Sequence, residues 1–316
     1  MIAVRRILFP TDFSSCAEQA LDYALAFARQ YQAELHLFHA TVLHEDDPHQ
    51  LAHHLPDVAA LRDRLRELAE SDMNAALAAR KAGELKVKVV QRFSIAAAPA
   101  IVEYAADKRI DLIVMGTHGR RGVGRLFLGS VAEEVVRHAS CPVLTVREKA
   151  KARKPRPPKQ ILVPVDYSRH SQQALRYALE MAAPVQARVH LLHVVEETVH
   201  PAFYATGKSS IFDFVPDIRR KSLQAMRQLV AKAKAPEAKV TFHVVEGRAA
   251  AEIPKWAEDH RIDIIVIATH GLTGLKHLLL GSVTEKVLRT APCPVFTVKV
   301  FGRSLLRRKA EPTQQA

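Results

Sequence analysis

Two tandem doubly wound α/β domains are predicted by three observations. Strand and helix periods alternate along the chain, most of the sequence occurs twice, and a glycine-containing loop follows the fourth apolar run of each copy. Pro10-Thr11-Asp12-Phe13-Ser14 answers to Pro164-Val165-Asp166-Tyr167-Ser168, and His39 to His193, both 154 residues apart. From Asp111 and Asp263 onward the spacing is 152, and it holds for Gly119 and Gly271, Ser130 and Ser282, and Cys141-Pro142 and Cys293-Pro294. A repeat this long is a domain and not a solenoid unit, whose period is roughly 20–50 residues.

In the first copy the apolar or alternating runs at 4–9, 34–38, 86–91, 112–115 and 143–146 read as strands. Between them, 17–28, 58–80, 97–106 and 131–138 carry the three-and-four spacing of amphipathic helices. The second copy repeats the strands at 161–165, 189–193, 240–245, 264–268 and 295–298. Such alternation implies parallel sheets covered by helices on both faces, joined by right-handed crossovers. The predicted organisation is a first domain at 1–147, a basic Pro-rich linker at 148–159, a second domain at 160–300 and a basic flexible tail at 301–316.

Composition supports a core in each half, with 48% hydrophobic and 25% charged residues. No apolar run approaches the ~20 residues of a membrane span. The first residues lead into Arg5-Arg6-Ile7-Leu8-Phe9 without the pattern of a secretory signal, so the expected location is the cytoplasm. Three cysteines fit a reducing compartment, and Cys141 and Cys293 read as small buried residues ahead of a strand.

The net charge of +13 is concentrated outside the domains. Seven cations face Glu148 alone between Arg147 and Lys159, and five face Glu311 alone from Lys299 onward. With Pro155, Pro157 and Pro158, the first segment reads as an extended, solvated linker or as a docking strip for an acidic partner, anionic lipid or nucleic acid. The sequence pairs this strip with neither an aromatic single-strand platform nor zinc-finger spacing, which disfavours nucleic acid. A histidine-rich stretch, His44, His49, His53 and His54 among Glu45, Asp46 and Asp47, is either a polar loop or, if helical, a place where His49 and His53 share zinc or copper one turn apart.

In open parallel sheets ligands bind beyond the carboxyl ends of the strands, where strand order reverses. The fourth strand runs into Gly116-Thr117-His118-Gly119, and nine residues later Gly129-Ser130 opens a helix; the second copy reads Ala268-Thr269-His270-Gly271 and Gly281-Ser282. Ser130 is read as the N-cap, and the unpaired first-turn amides with the helix dipole make an anion site. Gly119 and Gly129 let the backbone approach a phosphate, and Arg120, Arg121 and Arg125 add charge. Asp12, at the end of the first strand, suits a ribose hydroxyl or base amino group, or else caps the helix beginning near Ser14.

This spacing differs from the P-loop and from the dinucleotide fingerprint. It resembles the universal stress protein family, in the ATP-binding branch, whose signature is G-x2-G-x9-G-S/T; the Pro-Thr-Asp-Phe-Ser and Cys-Pro-Val segments resemble that family too, and the match runs through the chain twice. The resemblance implies five-stranded parallel sheets of order 3-2-1-4-5 and an ATP or related adenine nucleotide, with Mg2+ entering through the phosphates. It places Pro10, Thr11, Asp12, Ala40, Met115 and Gly116 on the adenine and ribose side, and Gly119, Gly129, Ser130 and Val131 at the phosphates, with His118 and Arg120 in the same loop. In the second domain the matching positions are Asp166, Val194, Ala268, Gly271, Gly281, Ser282 and Val283.

The chain departs from the family pattern at Ala268, in place of the first glycine, and at Ile95, where the second domain has Gly247 after its third strand. The second loop also exchanges three arginines for Lys276 and His277, so the first domain is expected to be the stronger nucleotide site. No catalytic constellation is legible, and His118 and His270 read as positioning residues, so binding is favoured over an enzyme, with slow ATP hydrolysis at most. Covalent duplication implies an internal pseudo-dimer with segments 143–146 and 295–298 adjacent, and leaves room for a further homodimer.

Overall fold

The computed structural model describes residues 2–42, 58–119, 128–148, 154–196, 210–233, 238–269, 280–299 and 304–306. The first half contains β1 (Arg6–Pro10), α1 (Ser15–Tyr31), β2 (Glu34–Val42), α2 (Val58–Ala78), β3 (Val87–Ser94), α3 (Ala97–Asp107), β4 (Leu112–Gly116), α4 (Ser130–His138) and β5 (Val143–Val146). The second half contains β6 (Gln160–Pro164), α5 (Arg169–Ala182), β7 (Arg188–Val195), α6 (Ile211–Phe214), α7 (Asp217–Lys232), β8 (Lys239–Glu246), α8 (Ala249–Asp259), β9 (Ile264–Ala268), α9 (Ser282–Thr290) and β10 (Val295–Val298). Each half has the expected order 3-2-1-4-5, and together they form one ten-stranded sheet, β3-β2-β1-β4-β5-β10-β9-β6-β7-β8.

The central strands are apolar on both faces because both faces are covered. Ile7 and Phe9 point into a core shared with α1, α2, α5 and α7, whereas Leu8 points into a core with α3, α4, α8 and α9. Helix α1 docks through Ala17, Ala20, Leu21, Ala24, Leu25 and Ala28, spaced three and four apart. Its start is fixed by Ser14, whose side chain accepts from the Ala17 amide, a cap worth about 1 kcal/mol. Asp111 and Asp263 perform one task twice: each accepts two backbone amides where the first strand of its half begins, from Arg5 and Arg6 and from Lys159 and Gln160.

The halves are joined edge to edge. Strands β5 and β10 pair antiparallel, with Val295 opposite Thr145, Phe296 opposite Leu144 and Thr297 opposite Val143. Thr145 and Thr297 are buried, and each donates its hydroxyl to a carbonyl of the other strand, at 3.3 Å to Val295 and 3.0 Å to Val143. The pairing removes two open edges, which would otherwise be templates for association with other chains. Lys299 is buried just beyond it and donates to the Arg137 carbonyl of α4 at 2.7 Å, a cation at a helix C-terminus. Burial pulls its ammonium down to about 8.

Part of the tail expected to be flexible is packed. Leu305 is 3% exposed, its amide donates to the Tyr177 hydroxyl at 2.8 Å, and its carbonyl accepts from Ala3 at 3.1 Å. Arg156 of the linker pairs with Asp263 at 3.3 Å. Among the described residues no helix is long and apolar enough to cross a membrane.

Candidate functional site in the first domain

Strand order reverses between β1 and β4, and both strands deliver their motif residues to that point. Asp12 leaves β1 in a tight turn: its Oδ1 accepts from the Ser14 amide at 3.1 Å and from the Ser14 hydroxyl at 2.7 Å. Asp12 therefore does not cap α1 itself: Ser14 is the cap, and Asp12 orients it. The second carboxylate oxygen faces Gly119. A Cβ built on Gly119 would lie 2.5 Å from Asp12 Oδ2, so a side chain there must displace a carboxylate whose other oxygen is held by Ser14.

The helix that follows is anchored by backbone. Gly129 donates to the Thr117 carbonyl at 2.8 Å, and a Cβ there would meet that oxygen at 3.0 Å. This early closure makes Gly129 the N-cap, and Ser130 the first helical residue, correcting the expectation that Ser130 caps α4. The first intrahelical bond runs from the Glu133 amide to the Gly129 carbonyl, so the amides of Ser130, Val131 and Ala132 precede it at the positive end of the helix. Ser130 and Val131 are exposed there.

His118 directly precedes Gly119. Its Nδ1 is 2.8 Å from the Thr117 hydroxyl, while its Nε2 is buried without a hydrogen-bond partner among the described residues. Burial, then the positive charge of Arg147, pull its basicity below that of ordinary histidine, although Glu148 opposes them.

Gly116 serves another purpose. The space of its missing Cβ is taken by α1, with Cys16 Sγ 2.9 Å and the Ala17 nitrogen 3.3 Å away. In the first domain this position governs how closely the first helix approaches the fourth strand; Ala268, at the matching position of the second, is 6% exposed. Pro10 and Met115 are buried and Ala40 is half-buried at the strand ends.

The second domain repeats the scaffold. Asp166 Oδ1 accepts from the Ser168 amide at 3.0 Å and its hydroxyl at 2.6 Å, Gly281 donates to the Thr269 carbonyl at 2.9 Å, and Gly281 caps α9 ahead of Ser282 and Val283. Val194 is 9% exposed where the first domain has Ala40. Arg120, Arg121, Arg125, His270, Gly271, Lys276, His277, His49 and His53 lie outside the described residues. Two participants were not read as site residues from the sequence, although both recur in the duplication: the Thr117 carbonyl that fixes Gly129, and the His39 ring.

A doubly wound sheet that brings a carboxylate, a glycine and an exposed helix N-terminus to its switch point belongs to the class of open α/β folds whose ligand sites lie at that point. The universal stress protein family model matches residues 3–147 and 158–299, and the chain belongs to that family. A universal stress protein of Methanocaldococcus jannaschii is 33% identical over 141 residues, covering 45% of this chain and 82% of its own. Another from Thermus aquaticus is 38% identical over 143 residues, covering 45% of this chain and 98% of its own. The crystal structure of a universal stress protein from Archaeoglobus fulgidus covers 93% of this chain and 98% of its own at a TM-score of 0.67 and 22% identity, a likeness of fold.

Proposed function

We propose that the first domain binds ATP or a related adenine nucleotide, and that the protein acts as a nucleotide-dependent stress-response or signalling module in the cytoplasm. The observation that carries the reading is the convergence, at one switch point, of the Asp12 carboxylate, the side-chain-free approach at Gly119 and the open first turn of α4. In this reading Asp12 receives the ribose hydroxyls, Pro10, Thr11, Ala40 and Met115 flank the base and sugar, and the amides of Gly119, Ser130 and Val131 meet the phosphates. Mg2+ accompanies the phosphates, neutralising their charge. Arg120 adds a cation, and Asp166 and Ser282 anchor a second, weaker site.

Nucleotide analysis of protein freshly purified without added ligand tests this directly. Bound ATP, recovered intact and lost in a Gly119→Val variant, is the expected result. Protein that carries no nucleotide and takes none up in a calorimetric titration with Mg-ATP overturns the proposal, and steady ADP release would replace it with a slow ATPase.

A further inference from the structure

We propose that His39 and His193 are positioning residues: each locks a left-handed turn that presents the site aspartate of its domain. The consequence for ligand affinity rests on the nucleotide reading above; the locking itself does not.

The residue after each aspartate is a bulky aromatic in a backbone region that such residues seldom occupy, with φ of 62° at Phe13 and 64° at Tyr167. The same exception at the same point of both halves indicates that the surroundings impose it. Phe13 lies with its ring centroid 4.8 Å from that of His39, and Tyr167 lies 4.5 Å from His193. The Nδ1 of His39 is 2.8 Å from the Thr11 carbonyl, and the Nδ1 of His193 is 2.9 Å from the Val165 carbonyl. A carbonyl oxygen only accepts, so Nδ1 carries the hydrogen in both rings.

The bond fixes the peptide that leads into Asp12. From the other side, the Thr11 amide donates to Phe38, the residue before His39, at 2.8 Å, and the Val165 amide donates to Leu192, the residue before His193, at 2.9 Å. The end of the second strand thus holds both polar groups of the residue preceding the aspartate, while its imidazole packs on the residue following. Ser14 and Ser168 fix the carboxylates themselves. An apolar side chain of similar size would retain the ring contact and lose the donor. Both histidines are half-buried within the last four residues of β2 and β7 and lie outside the apolar core.

The test uses the full chain with His39→Ala, His39→Asn and His39→Gln. An Asn amide nitrogen reaches the Nδ1 position, whereas that of Gln reaches the Nε2 position. In ligand-free protein, amide exchange at Phe13 and Ser14 is expected to rise about tenfold in His39→Ala, with β1 and β4 unchanged, and to stay within about threefold of the parent in His39→Asn. The dissociation constant for Mg-ATP is expected to rise about tenfold in His39→Ala and to be restored by Asn but not by Gln. If His39→Ala does not fold, the contrast between Asn and Gln carries the test alone. Parent-like exchange in His39→Ala, or equal behaviour of Asn and Gln, overturns the inference. A parent protein that takes up no nucleotide refutes the nucleotide reading, and the exchange contrast then decides the positioning role alone.

Discussion

The turns that follow β3 and β8 solve the same problem with different chemistry. In the second domain, Gly247 holds φ at 136°, donates to the Val195 carbonyl at 3.1 Å and leads into α8. In the first domain, strand pairing sets Thr41 opposite Phe93, and in the second it sets Val195, 154 residues after Thr41, opposite Glu246. The strands therefore correspond at a spacing of 153, while α3 and α8, starting at Ala97 and Ala249, correspond at 152. The first domain thus has one extra residue in this turn. Ser94 occupies the Gly247 position, Ile95 is the insertion, and neither has a positive φ. The Ser94 hydroxyl closes the turn with the Ala96 amide and carbonyl. An added residue removed the need for glycine, a difference invisible when the copies are aligned by residue count alone.

The two proposed sites test the comparison most severely. Gly119→Val drives a side chain into Asp12 and is expected to weaken ATP binding on the order of a thousandfold, about 4 kcal/mol. The matching change at Gly271 is expected to weaken total binding less; a calorimetric titration showing the reverse ranking would make the second domain the principal site.

Next in size is a difference in acid sensitivity. In the second domain His190 bonds Gln160 at 2.7 Å and Thr241 at 2.9 Å, with His243 at 3.2 Å. Burial, then His243, Arg188 and His260, pull it down to about 4. The unfolded chain therefore binds a proton between about pH 6.5 and 4 that the folded domain refuses, so stability is fully present above 6.5 and lost on acidification, by roughly 3 kcal/mol. Trp256, the only tryptophan, has its ring 4.7 Å from that of His243 and reports this domain. Its urea-unfolding midpoint is expected to fall between pH 7 and 4.5; a flat midpoint would contradict the assignment. His36, the counterpart in the first domain, is shifted the same way by burial, but Glu34 opposes the shift.

The turn itself comes third. Gly247→Ala places a Cβ 2.8 Å from Glu252 Cγ on a backbone side chains rarely adopt, and about 2 kcal/mol of stability should be lost. The smallest effect is expected at Ile95, 70% exposed, where Ile95→Ser should change stability by less than about 0.5 kcal/mol. Comparable losses in the two variants, measured by denaturant unfolding, would mean that the turns are equivalent after all.

Much of the fold was legible because it is written in local periods. Segments 143–146, 264–268 and 295–298 coincide with β5, β9 and β10, whose apolar runs are bounded by turn residues. Helix and strand ends were less legible: β2 continues to Val42 through half-exposed residues, where alternation carries little signal. At the site, the glycines and Asp12 were recognisable from spacing. The roles of Gly116 and Ser130 were not, because the former is set by the approach of α1 and the latter by a hydrogen bond closed one residue earlier.

By itself the sequence determined the duplication, the alternation of elements and the family, since these follow from residue order and hydrophobic period. The duplication implied that β5 and β10 lie adjacent; tertiary structure alone decided that they pair antiparallel in one continuous sheet, that Ile95 is an insertion, and that His39 and His193 clamp the aspartate turns. Each depends on register and contact between segments far apart in the chain, and neither period nor spacing encodes which edge meets which.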